Sequence, residues 1–108
     1  MLKGNKFIFL DRDGVLNKKP KKGKYVTKIS EIKWRKGSLE ALKILKDNNF
    51  KTIIATNQAG IGRGIMTEKK VKRIHTYMSK QAKKAGGSLD YIYMCPHHPA
   101  ENVFAESL

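Results

Sequence analysis

The clearest structural signal in this chain is the segment Phe7-Ile8-Phe9-Leu10-Asp11-Arg12-Asp13-Gly14-Val15-Leu16-Asn17. Its first four residues are apolar, which is typical of a strand buried on both faces near the centre of a parallel sheet. Open α/β folds bind their ligands at the carboxyl ends of such strands. Alternate side chains of an extended chain share a face, so we expect Asp11 and Asp13 to face one bound group and Arg12 to point away. Gly14 allows a tight turn beside that group.

An isolated Asp-x-Asp-Gly sequence is also compatible with a solvated turn or a calcium-binding loop. An EF-hand loop has a third oxygen ligand before its glycine and helices on both sides, whereas here Gly14 comes early and a strand precedes it. Two neighbouring carboxylates could instead act as nucleophile and general acid, if a cation and fixed donors keep the first one ionised. The flanking sequence favours this catalytic interpretation.

A second buried strand is predicted over residues 51–58, where an apolar run ends in Thr56, Asn57 and Gln58. The hydroxyl, the amide and nearby backbone N–H groups could hold phosphate oxygens. The glycines at 60, 62 and 64 do not have the spacing of the dinucleotide-binding fingerprint, and the next helix signal starts only near Thr67. An ordinary flexible loop therefore stays an alternative for this glycine-rich segment.

Two amphipathic helices and a third strand complete the predicted layout. Ser38 is expected to cap the first helix and Thr67 the second. The helices are expected to end at Asn48-Asn49 and at Gly86-Gly87. The predicted buried positions are Leu39, Leu42 and Leu45 in the first helix and Val71, Ile74, Met78, Ala82 and Ala85 in the second. With a strand over residues 89–94, the pattern predicts a Rossmann-like α/β fold, a parallel sheet flanked by helices in three αβα layers.

Three further residues, His75, Tyr77 and Trp34, are assigned to core packing without a functional role.

Three motifs occur in a fixed order along the chain: Asp-Arg-Asp-Gly-Val-Leu-Asn at 11–17, Thr-Asn-Gln-Ala-Gly-Ile-Gly-Arg-Gly at 56–64 and Cys-Pro-His-His-Pro at 95–99. Together they resemble the phosphatases of the haloacid dehalogenase superfamily, and within it the D,D-heptose 1,7-bisphosphate phosphatase group. The related histidinol-phosphatase group shares the first motif and the cysteine-histidine loop. That group tends to have Asp-Gly after Thr-Asn-Gln and lacks the second histidine of the pair at 97–98.

The resemblance implies a magnesium-dependent phosphatase that acts through an aspartyl-phosphate on a sugar bisphosphate, such as the D-glycero-D-manno-heptose 1,7-bisphosphate of lipopolysaccharide synthesis. Asp11 would be the nucleophile and a magnesium ligand. Asp13 would be the general acid and base, with its backbone carbonyl as a second magnesium ligand. Thr56 and Asn57 would orient the phosphate. Candidates only for substrate contact are Gln58, Arg63 and the basic residues 18–24. Histidinol phosphate stays an alternative substrate.

Cys95 and His97 are candidates for half of a structural zinc site, because thiolate and imidazole are good zinc ligands and such a site usually has four protein ligands. The resemblance places the other two in a later Cys-x-Cys sequence, which this chain does not have. A lone buried cysteine near surface histidines is the alternative.

The family's later lysine and acidic motifs are expected beyond residue 108. We therefore expect residues 1–108 to be the N-terminal part of a single phosphatase domain, inactive by itself. A non-catalytic remnant or binding protein is the alternative. Back-translation of residues 103–108, shifted by one base, can encode Cys-x-Cys-Arg-Lys-Pro, so a frameshift is expected rather than a deliberately shortened chain or a genuine short protein.

The composition is strongly basic, with 23 Lys and Arg against 9 Asp and Glu and a formal net charge of +14. Such a charge is typical of proteins that bind nucleic acids. Here, however, the lysines are dispersed along the chain, and no pattern of aromatic residues that could stack on bases accompanies them. No specific nucleic-acid or membrane partner is expected, and the oligomeric state stays open. The absence of a signal peptide and of a bilayer-spanning apolar run predicts a cytoplasmic protein. The basic run at residues 18–24 is expected to attract an anionic substrate.

Overall fold

The computed structural model describes residues 6–57, 64, 66–95 and 104–107. The elements are β1 (Lys6–Asp11), a short 3-10 helix (Ile29–Glu31), α1 (Ser38–Asp47), β2 (Phe50–Asn57), α2 (Glu68–Lys84), β3 (Tyr91–Cys95) and β4 (Phe104–Ser107). The sheet order is β1-β2-β3-β4, with the first three strands parallel and β4 antiparallel to β3. The predicted parallel α/β fold is confirmed, whereas β4 was not predicted. No helix in these ranges has the length and apolar character needed to cross a membrane.

One face of the sheet packs against both helices. Alternate residues of the strands point to this face, because the side-chain period of a strand is two. They join the buried positions of the helices in one core cluster that includes Leu42, Ile54, Val71, Ile74, Met78, Ala82, Ile92 and Met94. Trp34 and Tyr77 pack against this cluster while staying partly exposed. The predicted core positions Leu42, Val71, Ile74, Met78 and Ala82 are therefore confirmed, whereas Leu39, Leu45 and Ala85 are only partly buried and lie outside this cluster.

The opposite face of the sheet carries exposed aromatic side chains. Phe9 is 65 % exposed, and Phe7, Tyr91 and Tyr93 are also exposed. These residues alternate with partly buried ones along β1 and with buried ones along β3, as the strand period requires. Within the part of the chain that the structure describes, no helix covers this face, so the described residues provide two of the three predicted layers.

The two helix starts differ in how their first N–H groups are satisfied. Thr67 is confirmed as the cap of α2, because its hydroxyl accepts a hydrogen bond from the backbone N–H of Lys70 at 3.1 Å. The prediction that Ser38 caps α1 is wrong. Gly37, at φ 86°, takes the cap position, and Ser38 is the first helical residue. The Ser38 hydroxyl instead donates to the carbonyl of Val15 at 2.9 Å, which ties α1 to the turn after β1.

Replacing the cap of α2 should destabilise the protein measurably. We expect Thr67→Ala to lower the free energy of unfolding by about 1 kcal/mol, because one N–H of the first helical turn loses its acceptor. Thr76→Ala is the matched control, since Thr76 lies in the exposed middle of the same helix and donates only to the carbonyl of Lys72. Alanine has the higher helix propensity there, so the control should be neutral or slightly stabilising. Urea unfolding of both variants measures the difference, and equal losses would contradict the capping role.

Candidate active site

The polar ends of the three parallel strands meet at one edge of the sheet. Asp11, the last residue of β1, pairs with Ala55 of β2, so Thr56 follows directly beside it. Asn57, the last residue of β2, pairs with Cys95, the last residue of β3. The backbone therefore brings all three sequence motifs to the carboxyl edge of the sheet, where α/β folds bind ligands.

A tight turn follows β1 at this edge. The carbonyl of Arg12 accepts hydrogen bonds from the backbone N–H groups of Val15, Leu16 and Asn17, at 3.3, 2.9 and 3.2 Å. Gly14 lies within the turn at φ 91°, a left-handed conformation that favours glycine. Its N–H donates to the carbonyl of Asn17 at 2.8 Å. The tight turn predicted at Gly14 is confirmed.

The segment before α1 holds this turn in place. The guanidinium of Arg35 donates to the carbonyl of Gly14 at 2.9 Å, and its backbone N–H donates to the carbonyl of Leu16 at the same distance. The N–H of Lys18 donates to the carbonyl of Lys33 at 2.7 Å. Together with the Ser38 hydroxyl, these contacts fix the turn from outside the sheet.

The two carboxylates of the motif have different surroundings. Asp11 is exposed, and no hydrogen bond or ion pair to it is found among the described residues. Asp13 accepts hydrogen bonds from Nε and Nη2 of Arg12, at 2.9 and 3.2 Å, and from Nδ2 of Asn17 at 2.9 Å. Its side chain keeps 25 % exposure. One carboxylate is thus free to bind a ligand, and the other is held in a fixed orientation.

The prediction that Arg12 points away from the carboxylates is wrong. Its side chain is 1 % exposed and binds both oxygens of Asp13. The prediction assumed that strand alternation continues through residue 13. The strand ends at Asp11, and the turn that follows no longer places alternate side chains on opposite faces.

His75, which the sequence pattern assigned only to packing, has a polar partner in the structure. Its Nε2 lies 3.1 Å from Nη1 of Arg12. Burial, with a smaller contribution from the charge of Arg12, lowers the pKa of His75 to about 3, although Asp13 acts in the opposite sense. The ring is therefore neutral at pH 7. The sequence contained one sign of this buried contact: His75 is a polar residue within the apolar stripe of the helix, four residues after Val71 and three before Met78.

The other predicted site residues are placed only in part. Thr56 is buried at the end of β2, with 7 % exposure. Asn57 and Cys95 are placed by their backbone alone. Gln58, Arg63 and His97 lie outside the described residues, as do residues 96–103 and 108 at the end of the chain. The phosphate-binding roles and the zinc half-site stay predictions.

A hard cation fits the donors present at this edge. The exposed carboxylate of Asp11 offers oxygen ligands, whereas the carboxylate of Asp13 is bound by Arg12 and Asn17 and would leave its backbone carbonyl as the ligand. No group of three or more His, Cys, Asp or Glu side chains suited to a metal occurs within the described ranges. Magnesium does not require one, because it is usually held by one or two carboxylates, water and substrate phosphate.

Two open cavities lie outside the carboxylate pair. A cavity of about 550 Å³ is lined by residues 27–30 with Lys70, Arg73 and Ile74 of α2. A second, of about 380 Å³, is lined mainly by the basic segment that follows Asn17: Lys18, Lys19, Pro20, Lys21, Lys24, Tyr25, Val26, Glu31 and Lys33. The second cavity agrees with the expectation that this segment attracts an anion, since five of its lining residues between 18 and 33 are lysines.

Acid should weaken the fold through His75. The folded protein holds this ring neutral down to about pH 3, whereas the unfolded chain protonates it near pH 6.5. The unfolded state therefore binds more protons in this window, and the stabilisation is lost as the pH falls, by at most about 1.4 kcal/mol per pH unit. Urea unfolding between pH 7 and pH 4 measures the slope. His75→Gln should lack this component, and parallel slopes for the two proteins would contradict the prediction.

Comparison with known proteins identifies relatives by sequence. No protein-family model matches the chain. It is 41 % identical over 99 residues to the D-glycero-beta-D-manno-heptose-1,7-bisphosphate 7-phosphatase of Helicobacter pylori, a match that covers 91 % of this chain and 56 % of that protein. It is 38 % identical over 96 residues to the 7-phosphatase of the same name from Yersinia pestis, covering 89 % of this chain and 50 % of that protein. The chain spans about half the length of the curated relatives it matches.

Solved structures give the same result for the fold. The D,D-heptose 1,7-bisphosphate phosphatase of B. bronchiseptica, in complex with magnesium and phosphate, superposes with a TM-score of 0.81 at 36 % identity, over 90 % of this chain and 53 % of that one. A HAD-like phosphatase from Mesorhizobium loti superposes with a TM-score of 0.76 at 26 % identity, over 89 % of this chain and 44 % of that one. The sequence relatives and solved structures that this chain matches are therefore phosphatases of the haloacid dehalogenase superfamily, and the curated relatives among them are heptose 1,7-bisphosphate phosphatases, each matched over about half of its length.

Proposed function

We propose that the protein to which this sequence belongs is a magnesium-dependent phosphomonoester hydrolase acting on D-glycero-D-manno-heptose 1,7-bisphosphate. The observation that carries the proposal is the contrast between the two carboxylates, with Asp11 exposed and unpartnered among the described residues and Asp13 held by three N–H donors. The names of the sequence relatives support the substrate. The magnesium and phosphate of the B. bronchiseptica structure support the cation.

The chemistry proceeds in two displacements. An oxygen of Asp11 attacks phosphorus, the bond from phosphorus to the sugar oxygen breaks, and Asp13 gives its proton to that leaving oxygen. Asp13 then takes a proton from water, which attacks the aspartyl-phosphate, releases inorganic phosphate and restores Asp11. Magnesium, held by the Asp11 carboxylate and the Asp13 carbonyl, would reduce the repulsion between the carboxylate and the phosphoryl oxygens.

The rest of the site is proposed on the resemblance of the motifs. Thr56 and Asn57 orient the phosphate, and Cys95 with His97 contributes half of a structural zinc site. Contacts to the sugar or its second phosphate come from Gln58, Arg63 and residues 18–24. Residues 1–108 form part of a single domain and have little turnover alone, because the relatives are about twice as long.

Removing the nucleophile should abolish turnover. In a complete form of the enzyme, with the segment after residue 108 restored, we expect Asp11→Asn to lower kcat by about a thousandfold or more, because an amide is a poor nucleophile and a poor cation ligand. Asp47→Asn is the matched control, since Asp47 is an exposed aspartate at the far end of α1 whose partner is Lys43. Phosphate release with magnesium measures both variants. Undiminished turnover in Asp11→Asn contradicts the proposal.

The proposed substrate can be tested against that of the related histidinol phosphatases. We expect kcat/KM for heptose 1,7-bisphosphate to exceed that for histidinol phosphate by at least about a hundredfold, because a site built to bind a sugar's hydroxyl groups leaves polar groups unpaired around the other substrate. Measuring both substrates with one enzyme preparation tests this expectation. A preference for histidinol phosphate would assign the chain to the alternative activity while leaving the role of Asp11 intact.

A further inference from the structure

Arg12 connects the core of the protein to the candidate active site. Its buried guanidinium donates from Nε and Nη2 to the two oxygens of Asp13, at 2.9 and 3.2 Å. The remaining terminal nitrogen, Nη1, lies 3.1 Å from Nε2 of His75 on α2. A single planar group therefore joins a buried helix residue to a carboxylate at the edge of the sheet.

We propose that His75 is a positioning residue, which fixes the orientation of the Asp13 carboxylate by fixing the guanidinium of Arg12. The inference rests on the proposed function, in which Asp13 transfers protons to and from the reacting oxygens. His75 acts only through Arg12 in this scheme and makes no contact with the substrate.

The contact with His75 supplies a constraint that Asp13 alone cannot supply. Arg12 and Asp13 are adjacent residues of one turn, and a long arginine side chain can move together with the carboxylate that it binds. His75 lies on α2 between Ile74 and Met78, which are 1 % and 0 % exposed, so its position is set by the core. Because the guanidinium is planar, a fixed acceptor at Nη1 also sets the direction of the N–H groups that face Asp13.

A neutral histidine suits this role better than a charged one. Arginine can only donate hydrogen bonds, so Nε2 of His75 must be the acceptor and Nδ1 must carry the proton. Burial keeps the ring neutral at pH 7, as described above, and the acceptor therefore persists under physiological conditions.

Asn17 holds the same carboxylate from a second direction. This residue is fully buried, and its Nδ2 donates to Oδ1 of Asp13 at 2.9 Å. With the two N–H groups of Arg12, three donors bind Asp13 from the protein side. The exposed quarter of the Asp13 side chain stays accessible to a leaving oxygen or to water.

Stability alone does not account for this network. Burying an arginine and its partners carries a desolvation cost, and apolar residues of similar volume often stabilise a fold as well or better. The network lies next to the carboxylate that the proposed chemistry uses for proton transfer. Small displacements of such a group lower reaction rates strongly. A network that fixes the orientation of Asp13 is therefore useful to the proposed reaction even if it lowers the free energy of unfolding.

Kinetics on the complete form of the enzyme, with the segment after residue 108 restored, test the proposal. We expect His75→Leu to lower kcat by about tenfold to a hundredfold with a smaller change in KM, because Asp13 acts on the leaving oxygen and does not hold the phosphate. His75→Gln offers an oxygen acceptor and should keep most of the rate. Ser79→Ala, which alters another buried polar residue of α2, is the control and should leave kcat unchanged. An unchanged kcat in His75→Leu overturns the proposal.

A double-mutant cycle distinguishes positioning through Arg12 from a general structural role. Arg12→Lys keeps the positive charge but loses the planar fork, so we expect its own loss of kcat. If His75 acts through Arg12, His75→Leu should cost little more in the Arg12→Lys background. A loss of the same factor in both backgrounds means that His75 acts independently, and this result overturns the proposal.

A spectroscopic measurement on the 108-residue chain needs no activity. Nitrogen-15 NMR of the wild-type protein should show His75 protonated on Nδ1 only, and hydrogen exchange of the Arg12 Nε–H should be about tenfold faster in His75→Leu than in the wild type. Protonation on Nε2, or unchanged Arg12 exchange in the variant, overturns the proposal. The wild-type spectrum gives an answer even if His75→Leu does not fold. Lack of turnover in the complete wild-type enzyme would refute the proposed function, and the NMR result on the 108-residue chain would still decide whether His75 fixes Arg12.

Discussion

The parallel pairing of β1 with β2 is the constraint on which the candidate site depends. The register places Asp11 opposite Ala55, so residues more than forty positions apart in sequence reach the same edge of the sheet. The same register directs Ile54 toward the helices and into the core. A slip by one residue would reverse the faces of the strand and expose its buried side chains. Core packing and the assembly of the site are thus set by one pairing.

Two aspartates in one motif acquire different properties from their surroundings. Asp11 ends a strand and extends from the sheet edge into solvent, whereas Asp13 lies in a turn whose backbone N–H groups converge on the carbonyl of Arg12. The turn brings the side chain of Arg12 back onto Asp13. The difference between an exposed carboxylate and a carboxylate held by three donors therefore comes from where the strand ends, and not from the residue type.

Local patterns predicted most of the fold. Strand alternation and the helical stripes are properties of short segments, and they identified the three parallel strands, the two helices and the cap at Thr67. The start of β3 was predicted two residues early, and the sheet gained β4 beyond the predicted strands. The cap at Ser38 failed because Gly37 takes the cap position at φ 86°, and the Ser38 hydroxyl donates instead to a tertiary partner, the carbonyl of Val15. Local sequence contains no information about such a partner.

The candidate site was predictable to the extent that its residues lie in motifs. The motifs identified Asp11 and Asp13, and the sheet brought both to its carboxyl edge. The direction of the Arg12 side chain and the contact with His75 were not predictable, because the two residues are 63 positions apart and meet only through packing. A polar residue within an apolar helix stripe is the one local sign of such a contact, and core packing explains that sign equally well.

The buried contact between Arg12 and His75 has a consequence for how the sequence can diverge. Loss of the histidine leaves a buried guanidinium N–H without an acceptor, and loss of the arginine leaves the imidazole without its donor. Each change alone is costly, whereas a paired replacement can remove both costs. Positions 12 and 75 are therefore expected to evolve as a pair, so that drift at one position depends on the residue already present at the other.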